Sequence, residues 1–155
     1  CEIIISPAIT KLKPSPIVQP FVAIIIGLGV TISESRYVPI FSVRILLNGY
    51  LFGAKVPKFD YSAIRPYGAP INGFGGTSSG SGPLEELHRD LRELYTARIG
   101  EEITSVDIVD TENLIGRCVV AGNVRRSAAL ALGNHEDREY LQMKNDSEKL
   151  WLRKE

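Results

Sequence analysis

A glycine-rich stretch that runs directly into a helical pattern constrains this chain more than any other feature. Residues 68–82 read GAPINGFGGTSSGSG, with six glycines and four serine or threonine residues. Pro83 follows at the position that favours the first turn of a helix. The apolar residues after it recur with helical spacing as far as Gly100: Leu84, Leu87, Leu91, Leu94 and Tyr95. The pattern predicts a loop, here called loop one (residues 68–82), that leads into the N-terminus of a helix.

The composition of loop one allows two interpretations. Glycines let a backbone approach a ligand closely, and the free N–H groups at a helix N-terminus attract phosphate. The loop lacks the Gly-Lys-Ser/Thr ending of a P-loop and the GxGxxG spacing of a dinucleotide site. A flexible connector would have the same composition.

A second loop, here called loop two (residues 121–127, AGNVRRS), follows a second predicted helix. That helix is expected to be capped by Thr104 or Ser105, with Asp107 in its first turn. Its expected apolar stripe is Val106, Val109, Asn113 with Leu114, and Cys118. The adjacent arginines of loop two suit phosphate binding and base stacking. The alternative is a pair of surface arginines that form weak salt bridges.

The other elements are expected to alternate between strands and helices. Short apolar runs predict strands near the N-terminus, at residues 59–64 and at residues 127–132, and a buried element at residues 21–30. Helices are expected at residues 43–53 and 136–146. The alternation predicts an α/β sheet or barrel, in which ligands bind at the loops that join strands to helices.

Charge and composition exclude several classes of function. Lys+Arg and Asp+Glu are 18 each, so the basic excess typical of duplex nucleic-acid binders is absent. The apolar run at residues 17–30 is interrupted by Gln19 and Pro20 and is shorter than the roughly 20 residues a bilayer requires. No secretory signal is recognisable, so we expect a cytoplasmic protein without a membrane span. A chain that starts with Cys is expected to be a piece of a longer protein.

The residues most often used in catalysis show no paired arrangement. Cys1 and Cys118 form neither a disulfide framework nor a zinc site, and Cys118 is expected to be a small buried hydrophobe. His88 and His135 are expected on the surface. Asp107 and Asp110 share a helical face, as many exposed carboxylates do, so the sequence assigns them no catalytic role.

Two long segments resemble one family. Residues 60–77 (DYSAIRPYGAPINGFGGT) resemble the first specificity loop of class II ribonucleotide reductases, which use adenosylcobalamin. Residues 113–128 (NLIGRCVVAGNVRRSA) resemble the second specificity loop and the helix before it. The resemblance implies a nucleotide-specificity region at residues 59–155, preceded by a loosely matched N-terminal barrel segment at residues 1–58.

The family resemblance implies a fold and a reaction. The expected fold is part of the first half of a ten-stranded α/β barrel, and the expected reaction converts ribonucleotides to deoxyribonucleotides for DNA synthesis. Adenosylcobalamin is the implied cofactor. The implied partners are a ribonucleotide substrate, a deoxynucleotide effector, a thioredoxin-type reductant and the remaining part of the reductase polypeptide.

The resemblance also implies roles for individual residues. The expected contacts to effector or substrate nucleotide are Asn72, Gly73, Gly75, Gly76, Asn123, Arg125, Arg126 and Ser127, and Cys1 is a candidate redox cysteine. The family's finger-loop pattern Asn-Pro-Cys-x-Glu is absent from these 155 residues, so the chain alone is expected to be inactive. The alternatives are a stand-alone nucleotide-binding or regulatory module and a non-catalytic split-gene fragment.

Overall fold

The structure is a computed structural model that describes residues 13–14, 38–54, 58–71, 76–121 and 126–153. The chain divides into two compact units, the first within residues 1–60 and 92–104 and the second within residues 61–91 and 105–155. The described helices are α1 (Val38–Phe52), α2 (Gly82–Ala97), α3 (Ser105–Val120), α4 (Arg138–Gln142) and α5 (Leu150–Arg153). Two two-residue strands accompany them, β1 (Lys13–Pro14) and β2 (Glu102–Ile103).

Helix α1 supplies the core of the first unit. It extends five residues further toward the N-terminus than the predicted helix, and Gly53 ends it with a φ of 66°. Asn48 and Gly49 do not break the helix. The apolar residues around them are buried: Val43, Leu46, Leu47, Tyr50 and Leu51. The Tyr50 and Thr96 hydroxyls share a hydrogen bond of 3.1 Å, which links α1 to the last turn of α2.

Among the described residues, strand structure is scarcer than the sequence predicts. β1 and β2 pair in parallel, with Lys13 opposite Glu102 and Pro14 opposite Ile103. The structure does not show the strands predicted at residues 59–64 and 127–132: both segments are irregular here, and residues 127–132 are exposed. A strand needs a neighbour to pair with its backbone, and the described residues supply none for either segment. The element predicted at residues 21–30 lies outside the described residues.

Helices α2 and α3 build the core of the second unit. Helix α2 begins at Gly82, within one residue of the predicted start at Pro83. After the helix, the chain turns at Gly100, which has a φ of 91°. Helix α3 begins at Ser105, as predicted, but of its expected apolar stripe only Leu114 is buried. The buried residues of α3 are Asp107, Ile108, Asp110, Thr111 and Leu114. The buried face therefore mixes polar and apolar side chains, and Val106 and Cys118 are only half-buried.

The C-terminal segment of the second unit forms hydrogen bonds with α3 at two places. The Ser105 hydroxyl donates a hydrogen bond to Asp137 Oδ2 at 2.5 Å, and Asp137 Oδ1 caps α4 by accepting from the Tyr140 N–H at 3.0 Å. These bonds lower the pKa of the Asp137 carboxyl, the hydroxyl bond contributing most. Further along the chain, Arg153 forms two 2.7 Å hydrogen bonds with the Asp110 carboxylate. Helix α4 spans only five residues of the longer helix predicted at residues 136–146.

Candidate functional site

The two ends of loop one are held together by backbone hydrogen bonds. The Gly68 N–H donates to Ser78 O at 2.9 Å, and the Ser78 N–H donates to Ala69 O at 2.8 Å. Pro70 and Thr77 form an antiparallel bridge, and the Ile71 N–H donates to the Gly76 carbonyl. Residues 72–75, between these ends, lie outside the described residues. The paired ends favour a shaped loop over a flexible connector.

The last part of loop one is fixed in place before α2 begins. Gly80 has a φ of 73°, and a Cβ atom there would lie 3.2 Å from the Tyr67 backbone nitrogen, so both conformation and space favour glycine. The Gly80 N–H donates to the Ser78 hydroxyl, which itself donates to Arg65 O. The Ser81 carbonyl then accepts hydrogen bonds from the first N–H groups of the helix. Loop one therefore reaches the N-terminus of α2 along a defined path.

Loop two leaves the last turn of α3, and its far end lies against the same helix. A Cβ atom built at Gly116 would lie 3.5 Å from the Ser127 hydroxyl oxygen, so these two residues are in close proximity. Arg126 and Ser127 are both exposed. Residues 122–125 lie outside the described residues.

A cleft between α2 and α3 brings the two loops to one place. Its volume is about 310 Å³, and it is lined by Pro83, Glu86, Leu87, Asp90, Leu114, Arg117, Cys118, Val120 and Ala121. Pro83 follows loop one directly, and Ala121 is the first residue of loop two. Because both residues line the cleft, the end of loop one and the start of loop two lie at the same end of the helix pair.

Charged side chains cross this cleft. Arg117 Nη2 lies 3.1 Å from Glu86 Oε1, and Arg117 Nη1 lies 3.8 Å from Asp90 Oδ2. Burial raises the pKa of the Cys118 thiol, and the negative charge of Glu86 raises it further. A thiol that stays protonated is a poor nucleophile, so we expect Cys118 to be unreactive.

Comparisons with known proteins identify the family. The sequence model of the family described as "B12-dependent ribonucleotide reductase, insertion domain" matches residues 54–95, which include all of loop one. The adenosylcobalamin-dependent ribonucleoside-triphosphate reductase of Lactobacillus acidophilus is 56% identical over 92 residues, 59% of this chain and 12% of the relative. A probable reductase of the same name in Dictyostelium discoideum is 47% identical over 114 residues, 74% of this chain and 15% of the relative.

The chain carries a segment of the class II ribonucleotide reductase family. It spans only 12–15% of the length of these two relatives. No solved structure matches it.

The expected nucleotide contacts of this reductase segment divide into two groups. Gly76, Arg126 and Ser127 are described; all three are exposed, and Gly76 has a φ of 117°, which favours glycine. The other expected site residues lie outside the described residues: Cys1, Asn72, Gly73, Gly75, Asn123 and Arg125. Their roles stay predictions.

The structure corrects the sequence interpretation of one histidine and two carboxylates in the reductase segment. His88 is only 2% exposed, and its Nδ1 shares a 2.8 Å hydrogen bond with the Tyr61 hydroxyl, so the expected surface position is wrong. Helical spacing could have indicated this burial, because His88 lies four residues after Leu84 on the buried face of α2. His135 is exposed, as expected. Asp107 and Asp110 are each 1% exposed, so they are core residues and not exposed carboxylates.

Among the described helices, none is long and apolar enough to cross a bilayer. Within the same residues, His, Cys, Asp and Glu side chains do not gather in threes as metal ligands.

Proposed function

We propose that this chain is part of an adenosylcobalamin-dependent ribonucleoside-triphosphate reductase and carries its nucleotide-specificity loops. The observation that supports this most strongly is the cleft where Pro83, at the end of loop one, and Ala121, at the start of loop two, line one surface. Two loops that lie close together can transmit the identity of a nucleotide bound at one loop to the choice of nucleotide at the other. The names of the relatives support the reaction and the triphosphate substrate.

In this proposal the loop residues bind and orient nucleotides. Asn72, Gly73, Gly75 and Gly76 of loop one offer backbone N–H groups and an amide to an effector phosphate or sugar. In loop two, Asn123, Arg125, Arg126 and Ser127 would contact the effector or substrate nucleotide. A guanidinium group can stack on a base and donate hydrogen bonds at the same time, so Arg125 is the residue best suited to transmit base identity.

The cofactor belongs to another part of the proposed enzyme. Adenosylcobalamin supplies the radical chemistry when bound, and it is larger than the ligands that occupy clefts of about 300 Å³. The cleft between α2 and α3 has about that volume and is crossed by the Arg117 ion pairs, so it does not fit a corrin ring. We therefore assign no step through the cofactor to the described residues. Cys1 would act with a thioredoxin-type reductant only in the complete enzyme.

The proposal also covers the fold of residues 127–132 in the complete protein. Leu130 is 85% exposed and Leu132 is 75% exposed, in a segment with the composition of a buried strand. Burying two leucines would stabilise the complete protein by roughly 3–6 kcal/mol. We infer that residues 127–132 form a strand of the first half of an α/β barrel when the rest of the reductase is present. Such exposed leucines favour this arrangement over a self-sufficient nucleotide-binding module.

Arg125→Ala in the full-length reductase tests the proposed function. Loss of hydrogen bonds to a charged donor costs about 1–3 kcal/mol, which is roughly tenfold to a hundredfold in preference. The effector-dependent choice among competing ribonucleoside triphosphates should flatten by that factor, more than basal turnover falls. Arg138→Ala, which removes an exposed arginine of α4, is the matched control. Product ratios equal to those of the parent enzyme with every deoxynucleotide effector would contradict the proposal.

A further inference from the structure

Three charged residues on the facing sides of α2 and α3 have no role in the proposed nucleotide contacts. Arg117 of α3 directs Nη2 to Glu86 at 3.1 Å and Nη1 to Asp90 at 3.8 Å. Glu86 and Asp90 are four residues apart on α2, so they occupy one face of that helix. The Arg117 side chain therefore spans two successive turns of the neighbouring helix.

The position of this cluster in the sequence is informative. Glu86 lies three residues after Pro83, so it is within one turn of the end of loop one. Arg117 lies four residues before Ala121, so it is about one turn from the start of loop two. The same ion pairs line the cleft where the two loops meet.

We propose that Arg117 is a positioning residue that couples the two loops by fixing how α2 and α3 are aligned along their shared face. The inference rests on the proposed function. One guanidinium group contacts two carboxylates through different nitrogen atoms, so a shift of either helix along its axis lengthens at least one contact. Leu87 and Leu114 pack in the same cleft, but apolar contact is not directional and tolerates a shift more easily.

A second arginine offers a matched control. Arg89 contacts the same two carboxylates, at 3.7 Å to Glu86 and 3.0 Å to Asp90, but it belongs to α2 itself. Replacing it removes a cation from the same acidic pair without removing a link to α3. Any effect that depends only on local charge should therefore be shared by Arg89→Ala and Arg117→Ala.

The experiment measures product ratios from competing ribonucleoside triphosphates in the full-length reductase, with and without each deoxynucleotide effector. Arg117→Ala should shrink the effector-induced change in these ratios about two- to fivefold, the scale expected for partly exposed ion pairs. Arg117→Lys should retain part of the coupling, because one ammonium group keeps the charge but not the fork. Effector binding measured without substrate should not change, since Arg117 is not placed in contact with a nucleotide.

The outcomes separate this inference from the proposed function. Suppose that Arg125→Ala flattens the effector response. If Arg117→Ala and Arg89→Ala then shrink that response equally, or if neither changes it, the coupling role of Arg117 is wrong. The proposed function of the specificity loops is unaffected by that result. If Arg125→Ala also has no effect, the proposed function fails and the inference fails with it. Unfolding midpoints of all variants, measured in parallel, identify any general loss of the fold, and a loss in Arg117→Ala large enough to explain its response would overturn the inference.

Discussion

Cys118 lies in the cleft between α2 and α3, where two influences keep its thiol protonated. Burial disfavours the thiolate, and the nearby carboxylate of Glu86 disfavours it further. Arg117 neutralises Glu86 only in part, because the ion pair is open to solvent on both sides. The reactivity of this cysteine therefore reports the charge state of the cleft.

Glu86→Gln should make Cys118 more reactive. Removing the carboxylate charge lowers the thiol pKa toward its usual value, so the thiolate fraction at pH 8 rises. We expect alkylation by iodoacetamide about two- to threefold faster, the scale of one partly screened charge. The rate is measured in a Cys1→Ser background by mass spectrometry. Glu85→Gln, an exposed neighbour outside the cleft lining, is the control, and equal rates in both variants would contradict the cleft geometry.

At the residue scale, the sequence predicts ordinary positions better than buried polar ones. His135 is exposed as expected, because a histidine beside Gly133-Asn134 tends toward the surface, whereas Cys118, expected to be buried, is only half-buried. His88 and Asp110 were missed because each is satisfied by a distant partner, Tyr61 and Arg153 respectively. Helical spacing alone does not reveal a partner 43 residues away, so a buried ion pair looks like two exposed charges.

At the scale of elements, helix α3 organises the second unit, because its N-terminus and its middle both form hydrogen bonds with the C-terminal segment. Arg153 and Asp110 are both nearly inaccessible, and Arg153 also donates a hydrogen bond to Met143 O. The hydrogen bonds with Asp110 raise the pKa of the Arg153 guanidinium. Through these bonds α5 is joined to the helix that leads into loop two.

Asp110→Ala should destabilise the chain strongly. Removing one partner of a buried pair leaves the other charge unsatisfied, which costs about 3–5 kcal/mol of the free energy of unfolding. Arg98→Ala removes the half-buried partner of the exposed Glu101 and should cost no more than about 1 kcal/mol. Urea unfolding followed by circular dichroism gives both values. Comparable losses in the two variants would show that Arg153 does not hold Asp110 in the core.

Helices and strands differ in how well the sequence predicts them here. The starts of α2 and α3 were predicted to within a residue, because Pro83 and Ser105 are local signals that need no distant partner. The strand at residues 127–132 was not found, because strand formation depends on a neighbouring backbone that the described residues do not provide. The convergence of loops one and two also required the packing of α2 on α3.

At the scale of the whole molecule, the chain corresponds to a small part of its relatives. It spans 12% of the Lactobacillus acidophilus reductase, and within the described residues the strands β1 and β2 have two residues each. Apolar residues that a finished domain would bury, such as Leu130 and Leu132, are exposed. These features support an assignment in which most of the catalytic machinery lies in other parts of the complete reductase.

Exchange of the matching 92 residues of the Lactobacillus acidophilus reductase for those of this chain tests the assignment most directly. The measurement is the ratio of deoxynucleotides formed from competing ribonucleoside triphosphates, with adenosylcobalamin, a dithiol and each deoxynucleotide effector in turn. The expected result is cofactor-dependent turnover with product ratios that change with the effector, and that stop changing when Arg125→Ala is added. A folded chimera that reduces ribonucleotides with the same ratios under every effector would contradict the assignment of loops one and two.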